Sequence, residues 1–192
     1  MKKIGMVFLA LFLFALQLSA KEAGGNGLTL TTINGKKLHF QGTTNGLQID
    51  RYKGKIVFLE FWGTHCPPCL MSVPHYIELT KKYGDKLAVV AVEVQDTPAP
   101  VLKKFAKSHG VNYDVIDYRT GMPLVNYISQ RTKWSGSIPF LTIFDQQGNF
   151  VTAQVGLLPQ DALEGVIKTL EKIEAKRKKA PATSSKESNA SK

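Results

Sequence analysis

The chain has 192 residues, of which 43% are hydrophobic and 21% charged, with a formal net charge of +10; this suits one soluble domain with a core plus appendages. The charge sits at the ends, with +5 in residues 168–192 and +2 from Lys2 and Lys3, so the body carries only about +3 and has no basic stripe interleaved with aromatics, which argues against a nucleic-acid partner. Cys66 and Cys69 are the only cysteines, too few for a disulfide scaffold but spaced C-x-x-C, the pattern of a redox or metal site.

The chain opens with Met1-Lys2-Lys3, 13 uncharged residues "IGMVFLALFLFAL" and then "QLSA". A positive start, an apolar run and a small residue at Ala20 read as a secretory signal over 1–20. The run is shorter than the ~20 residues that span a bilayer, and Leu18 suits a cleavage site poorly, so the alternative is an uncleaved anchor. No cysteine follows the run, which argues against a bacterial lipoprotein anchor. A Gly-rich leader covers 21–27.

From there, 28–178 reads as one domain. "LTLTTINGKKLHFQG" (28–42) alternates around Asn34-Gly35, a hairpin signal. "KIVFLEFW" (55–62) and "KLAVVAVEV" (86–94) are near-continuous apolar runs, the pattern of strands buried on both faces. A helix is predicted from Pro67 to about Tyr83, with Pro74 as a kink. A second helix starts with Thr97 as cap and Pro98 in its first turn, and ends near His109–Gly110. "VNYDVID" (111–117) is a short strand, and "LVNYISQ" (124–130) a short helix or turn. Residues 139–156 form two strands joined by a Gly-containing turn. Pro159 to about Lys178 is an amphipathic helix with Leu163, Val166, Ile167, Leu170 and Ile173 on one face. The polar segment 179–192 is expected to be disordered. This order implies an α/β fold, a mixed sheet with helices on both faces.

The stretch "FLEFWGTHCPPC" (58–69) ends a strand at Trp62, turns at Gly63 and starts a helix at Pro67-Pro68. Cys66 then sits at the helix N-terminus, where unpaired N–H groups and the macrodipole favour a thiolate. Cys69 lies one turn later on the same face. Cys66 is therefore the exposed, attacking sulfur and Cys69 the resolving one. Glu60, an acid in a two-sided apolar strand, is expected to be buried with a raised pKa and to accept the proton of the resolving thiol; the other reading places it at an edge, in solvent. His65 is either a cation that lowers the Cys66 pKa or a plain loop histidine. Glu93, a second acid in an apolar run, neighbours Glu60 or faces a strand end. His39, His75 and His109 read as surface or boundary residues. Cys66, Cys69 and His65 supply three ligands where structural zinc takes four, so no metal is expected. No cofactor is expected either, because the electrons sit on the two sulfurs.

"FLEFWGTHCPPC", Pro74 and "GSIPFLTIFDQQGNF" together resemble the thioredoxin superfamily, and more fully its extracytoplasmic TlpA-like thiol:disulfide oxidoreductases, among them the reductases of cytochrome c maturation. The resemblance covers about residues 28–175, with an N-terminal hairpin and an insert around 109–131. It implies a thioredoxin-like fold and a cis Pro139. It also implies that the Ile138 backbone pairs with a bound peptide as an added strand, that Trp62 packs beside the site, and that Glu60 is the buried acid. Trp62, His65, Pro67, Pro68, Ile138 and Pro139 are then the substrate-facing residues. Three departures stand out. His65 replaces an aromatic, Phe140 replaces an acid after the proline motif, and Glu60 with Ser72 replaces an amide at 60 and an acid at 72. Related peroxiredoxins carry Thr three residues before the reactive cysteine, where this chain has Gly63.

The sequence thus predicts a periplasmic protein-disulfide reductase, secreted or membrane-anchored. Its expected partners are cysteine-containing clients, apocytochrome c or other secreted proteins, and a membrane thiol donor. The Lys-rich end of the last helix reads as a solvated face, or as a weak contact to an anionic membrane. The alternatives are a DsbA-like oxidant and a non-catalytic peptide-binding adaptor.

Overall fold

The computed structural model describes residues 27–179. The signal segment (1–20), nearly all of the leader and the polar tail lie outside the described residues.

Leu28–Thr31 (β1) and Lys37–Gly42 (β2) pair antiparallel across a turn in which Gly35 takes φ +81°. β2 also pairs with a short strand, Leu47–Ile49 (β3). The remaining strands are Ile56–Trp62 (β4), Leu87–Glu93 (β5), Asp114–Ile116 (β6), Phe140–Phe144 (β7) and Phe150–Val155 (β8), and the helices are Pro67–Tyr83 (α1), Ala99–Ser108 (α2), Tyr118–Thr132 (α3) and Gln160–Lys179 (α4). The main sheet runs β6-β5-β4-β7-β8. β4, β5 and β6 are parallel, while β7 and β8 are antiparallel to their neighbours. This is the mixed α/β sheet expected from the order of elements.

Every residue of β4 and of β5 is buried, because layers cover both faces of the sheet. Strand periodicity sorts their side chains. Ile56, Phe58 and Trp62 join Leu87, Val89 and Ala91 beneath α1, α2 and α4. Val57, Leu59 and Phe61 join Ala88, Val90 and Val92 beneath α3 and the N-terminal sheet.

Three local expectations are corrected. The segment read as a short helix or turn at 124–130 is the 15-residue α3, whose start Asp117 caps by accepting from the Thr120 N–H at 3.1 Å. Gly121 seats α3 on the sheet, since a Cβ there would lie 2.5 Å from Val92 Cγ1. Thr97 does not cap α2; its hydroxyl is taken by Glu93, and Pro98 holds the cap position. β3 is too short to carry a periodic signal. Ile173, placed on the buried face of α4, is 43% exposed.

Gly121→Ala is expected to lower the unfolding free energy by about 1–3 kcal/mol through overpacking. Gly165→Ala on α4, where nothing lies within 4 Å of the added methyl, should raise it by about 0.5–1 kcal/mol. Denaturant midpoints of the two variants against the parent check both signs.

Candidate active site

Cys66 and Cys69 form a disulfide with sulfurs 2.14 Å and Cα atoms 5.2 Å apart. Cys66 occupies the N-cap of α1, with Pro67 and Pro68 filling the first positions, where an absent N–H removes no helix bond. The Cys69 N–H donates to Cys66 Sγ at 3.3 Å. The helix end therefore presents a donor to the sulfur that would become a thiolate. Cys66 was expected to be exposed; it retains only 7% of its surface, against 0% for Cys69. Of the two, it is still the one a partner can reach. His65, Pro67 and Pro68 are exposed around it.

Glu60 is 1% exposed, in the central strand between Ala91 and Leu141. Its side chain points to α1, with Oε1 2.8 Å from Ser72 Oγ. Burial pushes its pKa up from 4.5 to about 8, and the Ser72 and Tyr76 hydroxyls pull the other way without offsetting it. Ser72 Oγ also lies 2.7 Å from the Cys69 carbonyl, yet a hydroxyl has one proton to give. A protonated Glu60 satisfies both contacts, because it can donate to Ser72 while Ser72 donates to the Cys69 carbonyl. Neighbouring phenols respond to the same low-dielectric setting. Burial, then the nearby Glu60 charge, raises Tyr76 and Tyr113 well above the usual range.

The opposite wall comes from the segment before β7. The Ile138–Pro139 peptide is cis, and the Ile138 carbonyl lies 3.9 Å from Cys66 Sγ. Trp134 anchors this loop. Its ring stacks on Phe140 at 4.8 Å and 8°, lies 4.8 Å from Phe61, and its Nε1–H donates to the Ser137 carbonyl at 2.7 Å. Trp62 is 1% exposed and packs on Phe105 at 5.4 Å, so it lines the site from below and offers a partner little surface.

A third element was not foreseen. The loop between β5 and α2 straps the turn that carries Cys66. Gln95 Oε1 accepts from the His65 N–H at 2.8 Å, and its side chain fills the space where any side chain at Gly63 would fall. Thr97 Oγ1 lies 2.8 Å from Thr64 Oγ1. Glu93, fully buried, binds Thr97. It thus faces a strand end and is not hydrogen-bonded to Glu60. Ser72 had a readable signal in its spacing of three from Cys69. Gln95, Thr97 and Trp134 had none, because the residues they hold in the site, His65, Thr64 and Phe61, belong to a different stretch of the chain.

A family model described as AhpC/TSA matches residues 18–153. Thiol-disulfide oxidoreductase ResA of Bacillus anthracis is 31% identical over 143 residues, 73% of each chain. The thioredoxin-like protein YneN of Bacillus subtilis is 28% identical over 71% of this chain and 72% of its own. Among solved structures, the exposed lipoprotein thioredoxin Etrx1 of Streptococcus pneumoniae superposes with a TM-score of 0.56 at 26% identity, covering 74% of this chain and 98% of that one. A thiol:disulfide interchange protein of the thioredoxin family from Chlorobium tepidum gives 0.63 at 21% identity over 79% and 98%, a likeness of fold. With a redox disulfide at the helix start and these relatives, the chain belongs to the AhpC/TSA family, as a TlpA-like member of the thioredoxin superfamily and a thiol:disulfide oxidoreductase.

Proposed function

We propose that the protein works outside the cytoplasm as a reductant of protein disulfides, with Cys66 as nucleophile, Cys69 as resolving thiol and Glu60 as proton carrier. The observation that carries this reading is the Glu60 carboxyl, buried against the first turns of α1 and pushed to about 8. In the dithiol form, the Cys66 thiolate attacks a client disulfide. One client sulfur leaves as a thiolate and takes a proton from water. Cys69 passes its proton towards Glu60 and attacks Cys66 Sγ, and the second client sulfur departs. Two electrons reach the client, and the Cys66–Cys69 bond is restored for re-reduction by a membrane thiol donor.

The direction rests on two features. Pro67 and Pro68 place no cation between the sulfurs, whereas a strongly oxidising pair needs its reduced thiolate heavily stabilised. A buried acid near 8 also suits proton transfer with a thiol near neutral pH. The extracytoplasmic setting rests on the signal-like residues 1–20 and on the exposed lipoprotein named among the structural relatives. Among the described residues no helix is long and apolar enough to cross a membrane. The last turn of α4 carries Lys176, Arg177, Lys178 and Lys179, a patch suited to weak contact with anionic lipid.

Cys66→Ser should abolish dithiol-dependent reduction of a model client disulfide, while a binding adaptor would keep its client phenotype. Equilibration with glutathione should give a potential below about −220 mV, and a value near −120 mV would identify an oxidant instead. Glu60 also makes a pH prediction. Its carboxyl titrates at 4.5 when unfolded and about 8 when folded, so between these values the folded state holds the extra proton. Stability of the disulfide form should therefore fall as pH rises through that window and level off above it. Glu60→Gln should remove this component, as read from denaturant midpoints across the same range.

A further inference from the structure

Buried Glu93 is joined to the surface beside Cys66 by three side chains. Its Oε2 accepts from the Thr97 N–H at 3.0 Å and its Oε1 from the Thr97 hydroxyl at 2.7 Å. In this arrangement both oxygens accept. Thr97 Oγ1 is 2.8 Å from Thr64 Oγ1, and Thr64 Oγ1 is 3.1 Å from His65 Nδ1. Each hydroxyl has one proton to donate. Thr97 gives its proton to Glu93, so Thr64 must donate to Thr97. The remaining contact on Thr64 must then be filled by a donor, and that donor is Nδ1–H of His65. With Glu93 accepting at both oxygens, proton counting gives the chain one direction, from the imidazole inward to Glu93.

We infer that Glu93 is a positioning residue that holds His65 in its Nδ1–H tautomer through Thr97 and Thr64, leaving Nε2 as a proton acceptor on the exposed side of the Cys66 turn. Two features keep the chain intact. Glu93 and Thr97 are 0% and 7% exposed, so water does not compete at the inner end. Asp96, on the same loop, is paired instead with Arg119 at 3.0 Å. The His65 main chain is fixed separately by Gln95.

The tautomer matters when the disulfide is opened. A donor thiol arriving at Cys66 must lose its proton, and Nε2 takes it. The donor sulfur then bonds to Cys66 Sγ, the Cys66–Cys69 bond breaks, and Cys69 leaves with its electron pair and takes the proton held by Glu60. Proton acceptors of this kind accelerate such steps by about 10²–10⁴-fold. An imidazole in the wrong tautomer forfeits part of that.

The test is long-range ¹H–¹⁵N correlation of the His65 ring in the intact disulfide protein. The parent should show protonated Nδ1. Glu93→Gln supplies an amide donor that reverses the chain, and should move the proton to Nε2. Should Glu93→Gln not fold, Thr64→Val cuts the chain near the surface and should give the same loss of Nδ1–H. Reduction of the disulfide by glutathione should slow about tenfold in the variant that folds, a fraction of the full general-base effect, and by no further factor when His65→Ala is already present. The inference is overturned if the parent carries its proton on Nε2, if the variant leaves the tautomer unchanged, or if the slowing persists undiminished in the His65→Ala background. None of these readings depends on the reduction potential, so they stand apart from the direction of electron flow.

Discussion

Which face of β4 a residue takes governs the site. A strand covered on both faces must send alternate side chains into two different layers. In β4 the even-numbered residues enter the layer beneath α1. Glu60 shares that parity with Trp62, two residues from the turn that delivers Cys66. The carboxyl therefore lies in the apolar layer under the helix that carries both sulfurs. A slip of one residue would turn it towards α3 and the N-terminal sheet, away from the cysteines. The raised Glu60 pKa, its contact with Ser72 and the packing of Trp62 under the disulfide all follow from this parity.

Around that axis the fold brings three chain segments to one end of the sheet. β4 delivers the cysteine turn and β5 delivers the Gln95–Thr97 strap. The segment entering β7, antiparallel to both, delivers Ile138 and Pro139. Loops at such an end are free to carry chemistry because the strands below are fixed by two-sided burial. The Trp134 stack and the Glu93–Thr97 contact attach the two flanking loops to the core. The rim is thus held by groups that do not meet a partner themselves.

Much of this was readable in the sequence. The runs at 55–62 and 86–94 show themselves as central strands because burial on both faces leaves no polar alternation. Pro67-Pro68 marks a helix start because only there is a missing N–H harmless. Legibility failed where a partner outside the element decided the outcome. The helix read as short at 124–130 gains its first turns from Asp117, which caps it, and from Gly121, which lets it approach Val92. Thr97 reads as a cap for the helix that follows, yet Glu93, four residues earlier, claims both its hydroxyl and its N–H. The exposure expected of Cys66 assumed an open turn, and the Ile138 loop on the other side leaves only a narrow opening. Glu60 was legible as a buried acid, but its partner depended on which turn of α1 crosses β4.

That crossing explains a departure that looked like a loss. The TlpA-like resemblance implies an amide at the strand position and an acid on the helix, three residues after the second cysteine. Here the strand carries Glu60 and the helix Ser72, and the two are in contact at 2.8 Å. Positions 60 and 72 are therefore two ends of one contact, of which the strand end here holds the carboxyl and the helix end supplies a neutral hydroxyl. Moving the acid from helix to strand puts it in the middle of a sheet, with Ala91 and Leu141 as its strand neighbours. Desolvation rather than charge repulsion then sets its pKa, and a group tuned by desolvation is governed by what covers it. Whatever alters the packing of α1 on β4, including the change from disulfide to dithiol at its first turn, acts on the affinity of Glu60 for its proton.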